Sequence, residues 1–429
     1  MLELPESWRA LVSLVVAAAM LTTMGSAYAI SSWNAQLKEL LSLDQSQITA
    51  VNSSISFGLY LAILPGIFYD RYGVRATVAV AAALLPLFFA SAYAQAVATA
   101  PGKASAPLLV FTFFAVGLLT QFACMVCIAA NEGNFGSARR GTVLGFLFSC
   151  FSGGGAVFAF VFKAFFDHHV ADYFFFLAVT SLVVCGLGVL LLYTSDDWSY
   201  HHHDPSSKDI HDATHPLLLP SSNNPTGLAL VRDRRFWALF FPTLVGVGSG
   251  LFINGNLAFI VQSRRGDVAV VPTLVSLFSV CNVGGRLAIG AISDAFVGVL
   301  SRGHFLSIGL AAMAFAQLSF LWGTPASLYL SVPLAGLAEG FLFPTYSILT
   351  RELFGAKHFG KNFGYMTLAN AIGFPLVLGP LGNYLYHLAA TVDPATGMET
   401  CVGPACFNPM FVVCAALNGA ALLGSWHLH

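Results

Sequence analysis

Residues 66–75 read Gly-Ile-Phe-Tyr-Asp-Arg-Tyr-Gly-Val-Arg and stand between two long apolar runs. The charged positions are Asp70, Arg71 and Arg75, and the glycines are Gly66 and Gly73. Charged side chains are costly in hydrocarbon and belong where headgroups and water begin. Glycine permits tight backbone approach. The spacing G-x-x-x-D-R-x-G-x-R in this apolar setting therefore predicts a short loop that returns the chain sharply across a membrane surface.

The composition excludes a water-soluble domain. Hydrophobic residues make up 57% of the 429 residues and charged residues only 9%, with a mean hydropathy of +0.75, whereas soluble proteins carry about 25% charged residues. The apolar runs are long and uninterrupted, which is typical of membrane-spanning helices rather than of barrel strands. The net charge of −1 gives no indication of a nucleic-acid partner.

Twelve apolar segments of the sequence approach the roughly 20 residues that a helix needs to cross the hydrocarbon core. They cover 9–30, 48–68, 75–95, 106–129, 142–164, 173–194, 236–259, 271–292, 304–323, 328–350, 364–388 and 409–426. With the N-terminus in the cytoplasm, 14 of the 19 Lys and Arg residues fall on the cytoplasmic side. The positive-inside rule therefore places both termini in the cytoplasm.

One long polar stretch divides the chain. Residues 195–232 are rich in His, Asp, Ser, Pro and Asn and lack periodicity, which is typical of a mobile linker. The predicted organisation is an N-terminal six-helix half over 1–194, a cytoplasmic linker over 195–235 and a C-terminal six-helix half over 236–429. The stretch from Gly290 to Asp294 repeats the opening motif in reduced form at the end of segment 8. Matching loops in two halves predict a parallel internal repeat.

The motif at 66–75, with its apolar flanks, resembles the signature loop between the second and third transmembrane helices of the major facilitator superfamily. The resemblance implies an all-α membrane protein with twelve transmembrane helices in two pseudo-symmetric six-helix halves, the major facilitator fold. In that family the loop grips helix ends of the opposite half in one state of the cycle. The resemblance thus implies a conformational latch made of Gly66, Asp70, Arg71, Gly73, Arg75 and Asp294. The alternative is a plain cluster of topogenic charges.

Five further stretches resemble the nodulin-like branch of the superfamily. They are Gly25-Ser-Ala-Tyr28 with Leu37-Lys-Glu-Leu40, Asn134-Phe135 through Gly145, Asn282-Val-Gly-Gly285-Arg286, Glu352-Leu-Phe-Gly355 and Cys401-Val-Gly-Pro-Ala-Cys406. Segment 8 is also similar to that of monocarboxylate transporters, in which an Asp precedes an Arg by four positions. Here Arg286 matches the Arg but Asn282 stands at the Asp position, so this second similarity is more distant.

Two ionisable residues lie inside predicted spans. Arg286 lies about 20–25 Å along segment 8 at 1.5 Å per residue, and an intramembrane arginine should face a cavity or a partner. It is predicted to bind a substrate carboxylate or phosphate, and the alternative is a structural network with Asp294. Glu339, in the middle of segment 10, is predicted to couple protons, because desolvation favours a neutral carboxyl group. Its alternatives are a hydrogen bond to a neighbouring helix or pairing with Arg286.

Other polar residues within spans or near their ends are candidates for the solute path. They are Tyr28, Asn256, Asn282 and Tyr346, followed by Asn254, Asn370 and Gln121. Tyr28 and Asn256 stand out because segments 1 and 7 line the cavity in the resembled family. For each residue the alternative is an interhelical hydrogen bond, worth about 0.6 kcal/mol.

The cysteines and histidines give two further predictions. Cys401 and Cys406 lie five positions apart in the polar loop 389–408 on the predicted non-cytoplasmic side, and are predicted to form a disulfide. A group of histidines lies in the linker, at His201, His202, His203, His211 and His215. Metal-binding loops can have this composition, but a polar tether is the preferred interpretation. No metal site and no cofactor is predicted.

These features predict a secondary transporter and not an enzyme, since the chain has no phosphate-binding loop, nucleophile elbow or H-E-x-x-H motif. The expected activity is movement of a small polar or anionic solute, carboxylate- or amino-acid-like, by alternating access, with a proton as the candidate coupling ion. The alternatives are a transporter-like receptor that binds solute without sustained transport and a metal-ion transporter that uses the histidine-rich linker. A monomer in the plasma membrane or a vacuolar or lysosomal-type endomembrane is expected.

Overall fold

The computed structural model describes residues 5–428 except positions 44, 101–102, 136, 168, 195–224, 297 and 393–398. The helices before the linker are α1 (Glu6–Met24), α2 (Ile30–Leu41), α3 (Gln45–Tyr60), α4 (Ile63–Ala98), α5 (Ala106–Asn134), α6 (Arg140–Phe165) and α7 (Val170–Leu191). The remaining helices are α8 (Leu228–Arg232), α9 (Arg234–Ser263), α10 (Val271–Ala295), α11 (Arg302–Ser319), α12 (Leu328–Phe354), α13 (Phe359–Ile372), α14 (Gly379–Ala389) and α15 (Asn408–Ser425). A 3₁₀ turn (Gly25–Tyr28) joins α1 to α2, and a π-helical turn (Gly373–Leu378) joins α13 to α14.

The number of membrane crossings follows from one break in α4. Within the described residues, eleven segments are long and apolar enough to cross a membrane, and one of them, Ser46–Ala98, has 53 residues. A single helix of that length would measure about 80 Å, against roughly 30 Å of hydrocarbon. The helix breaks at Gly73, where φ is 75° and ψ is −171°, a conformation that only glycine adopts readily. The segment therefore contains two crossings, and the prediction of twelve spans is confirmed.

Several connections are more ordered than the sequence predicted. The opening motif is helical on both sides of Gly73, so one residue and not a loop interrupts the helix. The amphipathic helix α2 follows the first span and buries Trp33, Leu37 and Leu41 along one face. The helix α8 lies inside the predicted linker. In the loop 389–408, the antiparallel strands β1 (Thr391–Val392) and β2 (Glu399–Thr400) form a small exception to the all-α prediction.

The described residues form two compact units. Unit 1 contains residues 5–194 with 225–227 and 354–368, and unit 2 contains 228–353 and 369–428. Helices of unit 1 approach closely through glycines: a Cβ at Gly25 would overlap the Phe151 oxygen, and one at Gly58 would overlap the Phe114 oxygen. Small residues at such contacts drive helix association in lipid, where apolar side chains gain little from leaving the tails.

Asp233 fixes the start of α9. Its Oδ1 accepts the N–H of Arg235 at 2.8 Å, and Nη2 of Arg235 donates to Oδ2 at 2.7 Å. The cap satisfies an N–H that has no acceptor within the helix. The Arg235 side chain also holds the pKa of Asp233 below its usual range, because hydrogen bonds to the ionised form favour it.

The loop before α15 is closed by a disulfide and tied to α9. The bond joins Cys401 to Cys406, as the sequence predicted. Both cysteines are buried in the unit 2 core beside Phe407 and Phe411. Between them, the N–H of Gly403 donates to the Ser263 oxygen at 2.7 Å. The closed loop therefore holds the last residue of α9.

We expect the disulfide to protect both cysteines from alkylation. In denatured protein without reductant, Cys401 and Cys406 should stay unmodified while the free Cys150 reacts. After reduction, Cys401 and Cys406 should react as well. The double variant Cys401→Ser/Cys406→Ser should lose about 2 kcal/mol of unfolding free energy, as expected for a small closed loop. Alkylation of both residues without reductant, measured by mass spectrometry, would contradict the bond.

Candidate functional site

The Asp70 carboxylate lies at the N-terminus of α13. Its Oδ1 accepts the N–H of Gly360 at 2.9 Å, and its Oδ2 accepts the N–H of Lys361 at 2.8 Å. The first N–H groups of a helix have no acceptor inside it, and the helix dipole adds about 0.3–1 kcal/mol for a negative charge there. A charge-assisted contact therefore joins the end of the second span to the start of α13 within unit 1.

Gly66 leaves room for this contact. A Cβ at position 66 would overlap the Gly360 oxygen, and a Cβ at position 360 would lie 2.6 Å from Oδ1 of Asp70. Asn362, also in the first turn of α13, donates from Nδ2 to the Pro225 oxygen at 3.0 Å. The motif aspartate and Pro225 of the predicted linker thus bind the same helix end.

The other residues of the opening motif have different positions. Gly73 carries the break between two crossings. The Arg71 guanidinium lies over the Tyr72 ring, 5.3 Å from its centroid, and Arg75 is exposed. Asp70 makes the hydrogen bonds to α13 described above, and the Tyr69 ring also lies close to Gly360.

Asp294, grouped with the latch from its sequence, forms a buried ion cluster in unit 2. Its Oδ1 accepts from Nη2 of Arg302 at 2.9 Å, and Nε of Arg302 lies 3.0 Å from Oε1 of Glu352. In unit 1, Nε of Arg140 lies 3.0 Å from Oε1 of the buried Glu132. Sequence analysis missed both ion clusters, although a charged residue at the end of an apolar run is a signal for such pairing. Losing one partner of a buried pair costs about 3–5 kcal/mol.

Arg286 is held by two neighbours inside the eighth span. Its Nε donates to Oδ1 of Asn282, one turn earlier on α10, at 2.8 Å. Its guanidinium carbon lies 4.2 Å from the ring centroid of Phe343 on α12, well within the range of a cation–π interaction. Arg286 is only 2% exposed and Asn282 3%. The contacts of Arg286 described above go to Asn282 and Phe343, and its network with Asp294 stays a prediction.

Glu339 lies one turn before Phe343 on α12. It is 3% exposed, and its Oε2 has no hydrogen-bond partner among the described residues. The charge of Arg286 interacts electrostatically with this carboxyl group. The structure therefore brings together Arg286, Asn282 and Glu339, which the sequence analysis could not place relative to one another.

Two glycines set the register between α10 and α12. A Cβ at Gly336 would overlap the Phe278 oxygen, and a Cβ at Gly340 would overlap the Asn282 oxygen. These residues form a G-x-x-x-G pattern, which lets two helix backbones meet closely in lipid. The pattern frames Glu339 and is the sequence signal that could have located its neighbours. Phe343, four residues after Glu339, was missed.

The other predicted solute-binding residues have mixed positions. Tyr346 is buried on α12, and its hydroxyl oxygen accepts from Nδ2 of Asn370 at 3.4 Å. Asn256 is half-buried and donates to the Phe252 oxygen at 2.9 Å, a bond within its own helix. Tyr28 belongs to unit 1, is 38% exposed, and has its ring 4.9 Å from that of Phe151.

Metal binding by the histidine-rich linker stays an untested alternative. Within the residues that the structure covers, no three His, Cys, Asp or Glu side chains form a group that could hold a metal ion. The linker histidines lie outside the described residues.

The sequence matches a family of known architecture. The sequence model of the Major Facilitator Superfamily matches residues 15–377 and, in a second match, residues 250–428. The chain belongs to this superfamily. It is therefore an integral, multi-pass membrane protein of a transporter superfamily and not of an enzyme family, as the twelve spans and the Asp70 motif predicted.

Solved structures of superfamily transporters share the fold. FucP in the outward conformation matches with a TM-score of 0.68 at 15% identity over 97% of this chain and 99% of that one. The proton:xylose symporter XylE bound to 6-bromo-6-deoxy-D-glucose matches with a TM-score of 0.68 at 14% identity over 99% and 96%. A bacterial homologue of the iron transporter ferroportin, outward-facing, matches with 0.71 at 14% identity over 98% and 99%. At these identities the likeness shows the fold alone.

Curated relatives match over shorter stretches. The uncharacterized MFS-type transporter YhjX of Escherichia coli (strain K12) is 29% identical over 147 residues, 33% of this chain and 35% of that protein. Protein NUCLEAR FUSION DEFECTIVE 4 of Arabidopsis thaliana is 26% identical over 208 residues, 47% and 35%. The probable transporter MCH1 of Candida albicans is 24% identical over 156 residues, 36% and 33%. The matches span about a third of the length of these relatives.

We expect Asp70→Ala to loosen the start of this superfamily transporter's helix α13. Loss of both hydrogen bonds should speed hydrogen exchange of the Gly360 and Lys361 amides about fivefold, equivalent to about 1 kcal/mol. Exchange mass spectrometry of the protein in detergent measures this directly. Asp172→Ala, which removes an exposed carboxylate from α7, serves as the matched control. Unchanged exchange in Asp70→Ala would reject the contact.

Proposed function

We propose that this chain is a secondary active transporter that moves a small anionic or polar solute, carboxylate- or amino-acid-like, by alternating access, with a proton as coupling ion. The observation that carries the proposal is the buried cluster of Arg286, Asn282, Phe343 and Glu339 on α10 and α12. An ionisable residue within a membrane span is costly and is retained where it has a function. This cluster holds two such residues, of opposite charge.

Arg286 is the proposed anion-binding group. A guanidinium presents five N–H donors in a planar fork that matches a carboxylate. Asn282 and Phe343, which are both neutral, orient the fork. Such an arrangement favours a carboxylate-bearing solute over a neutral sugar or a cation.

Glu339 is the proposed proton-binding group. When its carboxylate is ionised, it competes with an anionic solute for the charge of Arg286. When it is protonated, the charge of Arg286 is available to the solute. Proton and anion therefore favour each other's binding, which is the linkage that a symporter requires. The free energy of the proton gradient can then drive solute uptake.

The burial of the cluster fits alternating access. Arg286 and Glu339 are almost fully buried in this conformation, so solute and proton reach them only in another state of the cycle. The Asp70 contact with α13 stabilises only those conformations in which the helix end is within reach. We assign Gly66, Asp70, Arg71, Gly73 and Arg75 the role of a latch that biases this equilibrium.

The comparisons favour the same proposal without deciding it. XylE is described as a proton:xylose symporter and FucP of E. coli as a fucose:proton symporter, so proton coupling occurs on this fold. The similarity to NUCLEAR FUSION DEFECTIVE 4 and to MCH1 supports placing the chain in the nodulin-like branch. The distribution of Lys and Arg supports cytoplasmic termini. The proposed location is an endomembrane or the plasma membrane.

Glu339→Gln should abolish the dependence of uptake on a pH gradient. The amide cannot take up or release a proton at this position, so accumulation should stop while exchange of solute continues. Uptake of labelled lactate, succinate and alanine into proteoliposomes, with and without an imposed pH gradient, measures both. Glu39→Gln, at an exposed residue of α2, is the control. Coupling through Glu339 is ruled out if the variant accumulates solute as the wild type does.

Arg286→Ala should remove stabilisation by carboxylates. A ligand at about 100 times its Kd adds about 2.7 kcal/mol to the stability of the protein that binds it, which a thermal-shift assay in detergent detects. The same panel of monocarboxylates, dicarboxylates and amino acids should have no effect on Arg286→Ala. The variant Arg265→Ala, which removes an exposed charge outside the spans, should respond like the wild type. Equal shifts in Arg286→Ala would reject the anion site.

A further inference from the structure

Gly250 on α9 lies directly against the Glu339 carboxyl group. A Cβ at position 250 would lie 2.6 Å from Oε2 of Glu339 and 2.9 Å from its Cβ and Cδ. Real Cβ atoms essentially never approach other heavy atoms within 3.0 Å. Glycine is also unfavourable in the interior of a helix, so its presence here needs a packing reason, and Glu339 is that reason.

The helix that carries Gly250 is held in place from its other side. Ser249 Oγ accepts from Nδ2 of Asn418 on α15 at 3.0 Å, and the Ser249 oxygen accepts from Nε2 of Gln317 on α11 at 3.4 Å. All three side chains are fully buried. Because α9 is bonded to two further helices next to Gly250, it cannot move away cheaply to accept a larger residue.

The opposite wall of the Glu339 site is also fixed. Gly336 and Gly340 hold α12 against α10, which carries Arg286. Arg286 is the charged group that acts on Glu339 from α10, and α9 presents the Gly250 backbone. The position of the carboxyl group between these helices therefore sets how strongly it interacts with Arg286.

We propose that Gly250 is a positioning residue for proton coupling: its missing side chain creates the space in which the Glu339 carboxyl group exchanges its proton under the influence of Arg286. This inference rests on the proposed function of Glu339. A methyl group at position 250 displaces the carboxyl group without touching its chemistry. The pH dependence of transport then changes although both ionisable residues remain.

Gly250→Ala tests the proposal against a matched control. Gly284→Ala places the same methyl group on α10, where no atom lies within 4 Å, and so measures the gain in helix propensity alone. Uptake of labelled lactate, succinate and alanine into proteoliposomes should be recorded from pH 5 to 8. We expect the midpoint of the pH profile to shift by about one unit or more in Gly250→Ala and to stay unchanged in Gly284→Ala. Identical profiles for Gly250→Ala and the wild type would overturn the proposal.

A rescue variant covers the case in which Gly250→Ala is simply unstable. Glu339→Asp keeps the carboxyl group but shortens the side chain, so it withdraws the group from position 250. The double variant Gly250→Ala/Glu339→Asp should have a pH-profile midpoint closer to that of Glu339→Asp alone than the midpoint of Gly250→Ala is to that of the wild type. If the double variant stays as defective as Gly250→Ala, the positioning role is rejected.

Thermal stability separates this inference from the function it rests on. In detergent, Gly250→Ala should melt about 3 °C or more below Gly284→Ala, and this loss should be smaller in the Glu339→Ala background, because the contacts with Oε2 and Cδ are gone while the contact with Cβ remains. Equal losses in both backgrounds would show that the two residues do not interact, and the inference fails. If coupling is present but Glu339→Gln keeps its pH-gradient dependence, the proposed function fails instead.

Discussion

A charged side chain inside a membrane crossing needs a partner from the protein, because hydrocarbon offers none. Unit 2 solves this problem in two ways. Arg302 is neutralised by the carboxylates of Asp294 and Glu352, which makes a structural cluster at helix ends. Arg286 is oriented by an amide and an aromatic ring, and neither removes its charge. The first arrangement stabilises the unit, and the second fixes the orientation of the Arg286 guanidinium.

The helices that hold these charges meet through glycines. In lipid the driving force for helix association is close packing, so backbone contacts count for more than apolar side chains. Gly336 and Gly340 bring α12 against α10, and the same approach brings Glu339 within reach of Arg286. Gly250 makes the corresponding space on α9. Packing and the candidate site therefore depend on the same small residues, and enlarging one of them changes both.

Much of the fold could be predicted because a membrane crossing has a simple signature. The length of each apolar run gave the twelve spans, and a glycine in a charged motif gave the break at Gly73. Spacing alone related Arg286 to Asn282, since residues four apart share a helix face. Helix α2 was missed because its apolar residues recur at helical spacing within a stretch too polar to cross a membrane. The ion pairs of Asp294 and Glu132 were missed because pairing partners come from other helices.

The proximity of Glu339 to Arg286 in space could not be predicted from the sequence. They lie 53 positions apart in the sequence, and a shift of one residue between α10 and α12 would rotate each away from the other. The register is set by where Gly336 and Gly340 meet backbone oxygens. A G-x-x-x-G pattern predicts that a close contact exists, but it does not name the helix on the other side.

The disulfide between Cys401 and Cys406 determines when one contact of the fold can form during synthesis. The cysteines lie between the last two crossings, in a loop that α14 must deliver to an oxidising compartment before the bond can form. The Gly403 amide then binds the end of α9, a helix synthesised about 140 residues earlier. The seventh crossing, α9, therefore lacks this hydrogen bond at its C-terminal end until the loop that contains Gly403 has been made. A chain truncated before Cys406 would lack the disulfide and would leave Cys401 as a free thiol.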